Sequence, residues 1–219
     1  MTPARTRVKI CGITNAADAD VSIALGADAL GFNLFPGSKR FIDLAGAGEW
    51  IAALPALVTR VAVLVNVSID EAVRIAGHPA FHCVQFHGDE DPAYCAEFAC
   101  TGRSFIKALR LTGPGVIATA ADYSTQSLLL DAAPASAGGP PEYGGTGSLI
   151  DLDLAAQLAH AHPQLRILLA GGLRAESVAT AIGAVAPYAV DVASGVEVAS
   201  DPRRKDPARL RAFLAAARA

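Results

Sequence analysis

Short apolar runs recur along the chain without alternating polar residues, and a longer stretch with helical spacing follows each one. Apolar runs that lack a period of two belong to parallel strands buried on both faces. This spacing predicts strands over Val8–Cys11, Ala29–Leu34, Arg60–Val65, Cys83–Phe86, Ser104–Ala108, Ser127–Asp131, Arg166–Ala170 and Ala189–Val192. Helices are predicted over Asn15–Leu25, Ala47–Leu54, Ile69–Ala76, Pro92–Ala99, Gly115–Ala121, Leu152–His160, Ala175–Ile182 and Pro207–Ala217. Thr14 stands where a residue capping the first helix would sit. Eight near-even strand–helix units with no linker between them predict an α/β fold, a single (β/α)8 TIM barrel over residues 1–219. An open doubly wound sheet is disfavoured, because no G-x-G-x-x-G follows the first strand. The one long irregular connection, Ala132–Gly147, is rich in Gly and Pro. Such a loop in a compact barrel is expected to be functional, often as a lid.

Composition narrows the classes of function. The chain has 219 residues, 52% hydrophobic and 18% charged, with a formal net charge of −3 and a pI near 5.9. No basic patch with interleaved aromatics is present, so nucleic acid is not expected as a partner. The densest basic run, Arg203-Arg204-Lys205, sits among prolines and aspartates and reads as a solvated turn. No apolar stretch approaches the roughly 18 residues of a membrane span. Cys11, Cys83, Cys95 and Cys100 form no C-x-x-C pair and match no zinc spacing, which fits a reducing cytoplasm and no metal.

In a barrel, chemistry gathers at the carboxyl ends of strands, and phosphate binds at the loops after strands seven and eight. The seventh strand ends in Leu169-Ala170-Gly171-Gly172-Leu173 and the eighth leads into Ser194-Gly195-Val196-Glu197. Both segments offer backbone N–H groups to an anion, so a phosphorylated small molecule is the expected partner. Cys11 ends the first strand and reads either as a small core residue or as a reactive thiol. Asp131 ends the sixth and reads as a turn residue or as a catalytic acid. A thiol and a carboxylate facing one barrel mouth would suit a general base and a general acid. Arg40, after the second strand, offers a fork for a carboxylate. His87 and Lys107 read as ordinary polar residues at a loop edge.

Together these segments resemble the phosphoribosylanthranilate isomerase family of tryptophan biosynthesis. The resemblance rests on Lys9-Ile10-Cys11-Gly12-Ile13-Thr14, Gly31-Phe32, Ser38-Lys39-Arg40, Gln85-Phe86-His87-Gly88, Ile106-Lys107-Ala108 and Leu130-Asp131. It continues through Gly144-Gly145-Thr146-Gly147, Ala170-Gly171-Gly172-Leu173 and Ser194-Gly195-Val196-Glu197, and so covers nearly the whole chain. The chain departs from the family in a longer Ala, Gly and Pro stretch before Gly144. It also has Ile150-Asp151-Leu152 where the family usually shows Phe-Asp-Trp.

The resemblance implies Cys11 as base, Asp131 as acid and Arg40 as the site for the anthranilate carboxylate. It implies phosphate held around Gly145, Gly171, Gly172, Ser194 and Gly195. The implied reaction is an Amadori rearrangement that needs no metal or organic cofactor. It requires a protonated carboxyl to open the sugar ring and a thiolate to take the C2 proton. A nearby cation or helix end is expected to lower the thiol's pKa. Lys9 shares the face of Cys11 but lies about 6–7 Å below it, and is not credited with that role. The histidine-pathway sugar-phosphate isomerase is a rival, but it carries Asp where this chain has Cys11. A pentose-phosphate epimerase would need histidines at strand ends, where only His87 lies. A non-catalytic phosphate binder would need neither Cys11 nor Asp131. Monomer and homodimer both stay open.

Overall fold

The computed structural model describes residues 5–133 and 149–219. The expected lid from residue 134 onward, and Gly145 within it, lie outside the described residues. Eight parallel strands close into a barrel: β1 (Arg7–Cys11), β2 (Ala29–Asn33), β3 (Thr59–Leu64), β4 (Cys83–Phe86), β5 (Phe105–Leu111), β6 (Ser127–Ala132), β7 (Arg166–Leu169) and β8 (Ala189–Val192). Each strand pairs with its neighbour in sequence. The ring closes where β8 pairs with β1, Lys9 lying opposite Asp191 and Ile10 opposite Val192.

The helices between the strands are α1 (Ala16–Ala24), α2 (Leu44–Ala52), α3 (Ile69–Ala76), α4 (Pro92–Ala99), α5 (Gly115–Thr119), α6 (Leu152–Ala161) and α7 (Ala175–Val185), with α8 (Pro207–Ala216) last. Most start on a polar side chain that accepts a free backbone N–H of the first turn. Asp43, Ser68, Asp91, Asp151 and Asp206 cap α2, α3, α4, α6 and α8 in this way. The cap of α1 is Asn15, which accepts from Asp18 N, and not Thr14. Thr14 instead donates its hydroxyl to Arg203 O.

Strand side chains divide between two environments. Val8, Ile10, Leu30, Phe32, Phe86, Leu128 and Leu130 face outward and pack under the helices in the main core. Val61, Ile106, Leu129, Leu168 and Ala189 form a separate apolar cluster that fills the barrel. Outside the wall, the fully buried Phe86 stacks edge to face on Tyr94 and Phe98 of α4 and lies 5.4 Å from Phe105 of β5.

One element was not legible in the sequence. After β8 the chain forms a hairpin of β9 (Glu197–Val198) and β10 (Asp201–Lys205), paired antiparallel. The run expected as a solvated turn is therefore a strand. Arg203 and Arg204 are exposed, but Lys205 is 2% exposed and turns back over the barrel mouth. The hairpin is anchored from outside itself, by Asp18 Oδ2 accepting Lys205 N at 2.8 Å and by the Thr14 bond to Arg203 O.

Replacing Phe86 by Ala should remove the centre of the aromatic cluster and leave a cavity that β4 and α4 cannot close. The expected loss is about 3–5 kcal/mol. Urea unfolding of the variant checks this, and a loss below about 1 kcal/mol would show that the wall repacks freely.

Candidate active site

Strand ends bring the candidates to one mouth. Cys11 is the last residue of β1 and Asp131 the last but one of β6. Both line a single cavity with Asn33, Arg40, His87, Gly171, Gly172, Asp191 and Ser194. Gly195 lines an adjoining cavity with Arg174 and Arg209. The structure thus gathers Cys11, Asp131, Arg40, Gly171, Gly172 and Ser194, with Gly195 on the next turn of chain.

On one side, Asp131 is held at both oxygens. Oδ1 accepts from Ala132 N at 2.9 Å, and Oδ2 lies 3.3 Å from His87 Nε2. His87 is in turn bonded through Nδ1 to Gln85 Nε2 at 2.8 Å. With that amide donating, the imidazole proton sits on Nε2 and points at the carboxylate. His87 is therefore no mere loop-edge residue but the direct neighbour of the candidate acid. Lys107 is likewise more than a loop-edge residue. Its ammonium is buried and bonds Glu90 Oε2 at 2.6 Å and Gly88 O at 2.9 Å. Glu90 also accepts from Asn66 N and Gly88 N, so this pair pins the chain that carries His87.

On the other side, burial pushes the Cys11 thiol above its ordinary pKa and Asp191 adds to the rise, while Lys9 and Lys205 pull it back. The net direction is upward, opposite to the expectation, because the barrel wall excludes more water than the cations offset. Lys9 was also wrongly set aside. A strand places its Cα two residues below Cys11, but four methylenes carry its ammonium up to the space over Gly31 that the sulfur also borders. Its main partner is Asp191 Oδ1, at 2.7 Å. Burial alone would lower the pKa of Lys9, and Asp191 with Cys11 reverses that, so the lysine stays charged.

Arg40 already uses its fork. Its Nε and Nη2 bond Glu197 Oε1 and Oε2 at 2.6 and 2.8 Å. A substrate carboxylate would therefore meet the other edge, formed by Nη1 and the second hydrogen of Nη2. Glu197 also accepts from Lys205 Nζ at 2.9 Å, and the same ammonium donates to Cys11 O at 2.7 Å. Burial disfavours charge on Glu197, but Arg40 and Lys205 outweigh it and hold the carboxyl below its usual range. For the more deeply buried Lys205 desolvation wins, and its pKa falls. One carboxylate thus joins the guanidinium of Arg40 to the backbone of Cys11.

The glycine loops after β7 and β8 complete the mouth. Gly171 and Gly172 have φ of 86° and 67°, the left-handed region where a Cβ is penalised. A Cβ on Gly171 would also meet Ala132 N at 2.7 Å. Ser194 begins a turn of 3₁₀ helix over Ser194–Val196. Both loops line the cavity, and glycine turns of this kind are able to bring backbone amides to an anion. Sequence reasoning missed Lys9, His87, Asp191, Glu197 and Lys205 as parts of the site. Charged residues inside apolar strands, Lys9 in β1 and Asp191 in β8, were the available signal.

A sequence model of the N-(5'-phosphoribosyl)anthranilate isomerase family matches residues 8–216. The N-(5'-phosphoribosyl)anthranilate isomerase of Citrifermentans bemidjiense is 44% identical over 213 residues, covering 97% of each chain. The crystal structure of phosphoribosylanthranilate isomerase from Thermus thermophilus superimposes with a TM-score of 0.83 at 37% identity, over 96% of this chain and 98% of that one. A further isomerase structure, in complex with reduced 1-(o-carboxyphenylamino)-1-deoxyribulose 5-phosphate, gives a TM-score of 0.80 at 34% identity, over 97% and 98% of the two chains. Strand order, the cavity at the strand ends and near-complete coverage agree: this chain belongs to the N-(5'-phosphoribosyl)anthranilate isomerase family.

Proposed function

We propose that Cys11 is the general base and Asp131 the general acid by which this chain isomerises N-(5'-phosphoribosyl)anthranilate to 1-(2-carboxyphenylamino)-1-deoxyribulose 5-phosphate in tryptophan biosynthesis. The observation that carries the assignment is the opening of a thiol from β1 and a carboxylate from β6 onto one cavity lined by the glycine loops after β7 and β8. Asp131 gives a proton to the ring oxygen as the C1–O bond breaks, leaving a C=N bond between C1 and the anthranilate nitrogen. Cys11 then takes the C2 proton, and the C–H electron pair becomes the C1=C2 bond of an enolamine. Tautomerisation of the enolamine gives the ketone. The phosphate lies away from the reacting carbons, against Gly171, Gly172, Ser194, Gly195 and, in the same reading, Gly145. Its binding energy orients the sugar. Arg40 meets the anthranilate carboxylate with its edge of Nη1 and Nη2.

The same reading takes residues 1–219 as one catalytic domain working in the cytoplasm as a monomer or homodimer. Among the described residues, no helix is long and apolar enough to cross a membrane. Light scattering of the purified chain decides between monomer and homodimer.

Anthranilate fluorescence of the substrate should decay on adding the purified protein in the presence of a chelator. Cys11→Ala and Asp131→Asn should each lower kcat by at least about 100-fold, the lower end of what one positioned proton transfer contributes. Turnover surviving in Cys11→Ala would place the base elsewhere.

The pH profile tests the same base separately. The thiolate is the active form, and the Cys11 pKa is raised by burial, so the active fraction is small at neutral pH. The value of kcat/KM should therefore climb from neutral pH past the ordinary thiol value of about 8.5. A plateau reached below pH 7 would show that the base is not this thiol.

A further inference from the structure

The barrel interior is apolar where it is most deeply packed, through Val61, Ile106, Leu129 and Leu168, but one charged pair interrupts it. Lys9 is 2% exposed, Asp191 is 8% exposed, and their ammonium and carboxylate meet at 2.7 Å. Packing does not explain such a pair, since a buried ion pair is often no more stable than apolar residues of the same volume. Lys9 is also the cation that most opposes the effect of burial on the Cys11 thiol. The wall beside them is cut away. Gly31 is the register partner of Cys11 on β2, and a Cβ there would stand 2.8 Å from the Cys11 sulfur and 3.0 Å from Lys9 Nζ. The missing side chain is the space in which ammonium and thiol meet.

We propose that Lys9, anchored by Asp191, is a positioning residue for the reaction, setting a cation beside the Cys11 sulfur that favours the thiolate against the burial around it. This rests on the reading of Cys11 as base. Other charges near the sulfur come from β8 (Asp191), β10 (Lys205) and the segment after β2 (Arg40). Lys205 Nζ is bonded to Cys11 O and Glu197, and Arg40 to Glu197, so both ammonium and guanidinium face carboxylate or backbone oxygens. Lys9 is the cation whose ammonium borders the space over Gly31 together with the sulfur itself. It keeps its proton throughout. The thiolate takes the C2 proton and becomes a thiol, and the lysine then faces a neutral group until that proton leaves.

The test compares Lys9→Met with Lys9→Met/Asp191→Asn. The second variant removes both charges, so no carboxylate is stranded in the barrel if the first fails to fold. Two profiles are measured against pH: alkylation of Cys11 by iodoacetamide, with the Cys11→Ala background subtracted, and kcat/KM. Removing the cation should raise both midpoints by about 1–3 units, in Lys9→Met against the unaltered chain and in the double variant against Asp191→Asn, since Asp191 itself pushes the thiol up. Below the midpoint, both rates should fall by the matching factor, about 10- to 1,000-fold. A merely structural role would lower kcat/KM at every pH and leave the alkylation midpoint in place. An unmoved or lowered midpoint in a folded variant overturns the proposal. If Cys11→Ala keeps turnover, the base assignment fails on its own, while the alkylation midpoint still decides whether Lys9 governs this thiol.

Discussion

The hydrogen bonding of β8 to β1 is the constraint on which the remainder of the structure depends. It turns a run of consecutive parallel strands into a ring with no free edge. At that seam Lys9 comes level with Asp191, and Ile10 with Val192. Because strand side chains alternate, the same closure sends Ile10 outward beneath the helices and sends Lys9 and Cys11 inward. Two residues separated by 182 positions thereby share one ion pair directly beneath the candidate base.

Above the seam, the hairpin of β9 and β10 extends the same organisation to the mouth. Glu197 and Lys205 lie within the hairpin, Arg40 follows β2, and the Cys11 carbonyl ends β1. A single buried carboxylate bonds Arg40 and Lys205, and Lys205 bonds the Cys11 carbonyl, so the residue proposed to meet the substrate and the residue proposed to take its proton share one frame. Buried charges of this kind contribute little net stability compared with apolar packing. Their presence at the strand ends, over an apolar lower interior, separates a part of the barrel that holds the fold from a part that holds the site.

The acid side is built on a different support. Asp131 is held by the neighbouring amide and by His87, whose ring is fixed by Gln85 from the interior of β4. The Lys107–Glu90 pair fastens the loop after β4 from outside the barrel wall. The thiol and the carboxylate are thus positioned by separate networks.

Local sequence was sufficient for the order of strands and helices and for the placing of Cys11, Asp131, Gly171 and Ser194 at strand ends. These features follow from apolar periodicity, which is confined to a few neighbouring residues. The partners of Lys9, Arg40, His87 and Lys205, the β10 strand and the upward direction of the Cys11 pKa were decided by tertiary structure alone. The reason is physical. A charged side chain is read by whatever lies across the barrel from it, and desolvation depends on how many walls close around a group. Neither quantity exists until β8 has met β1.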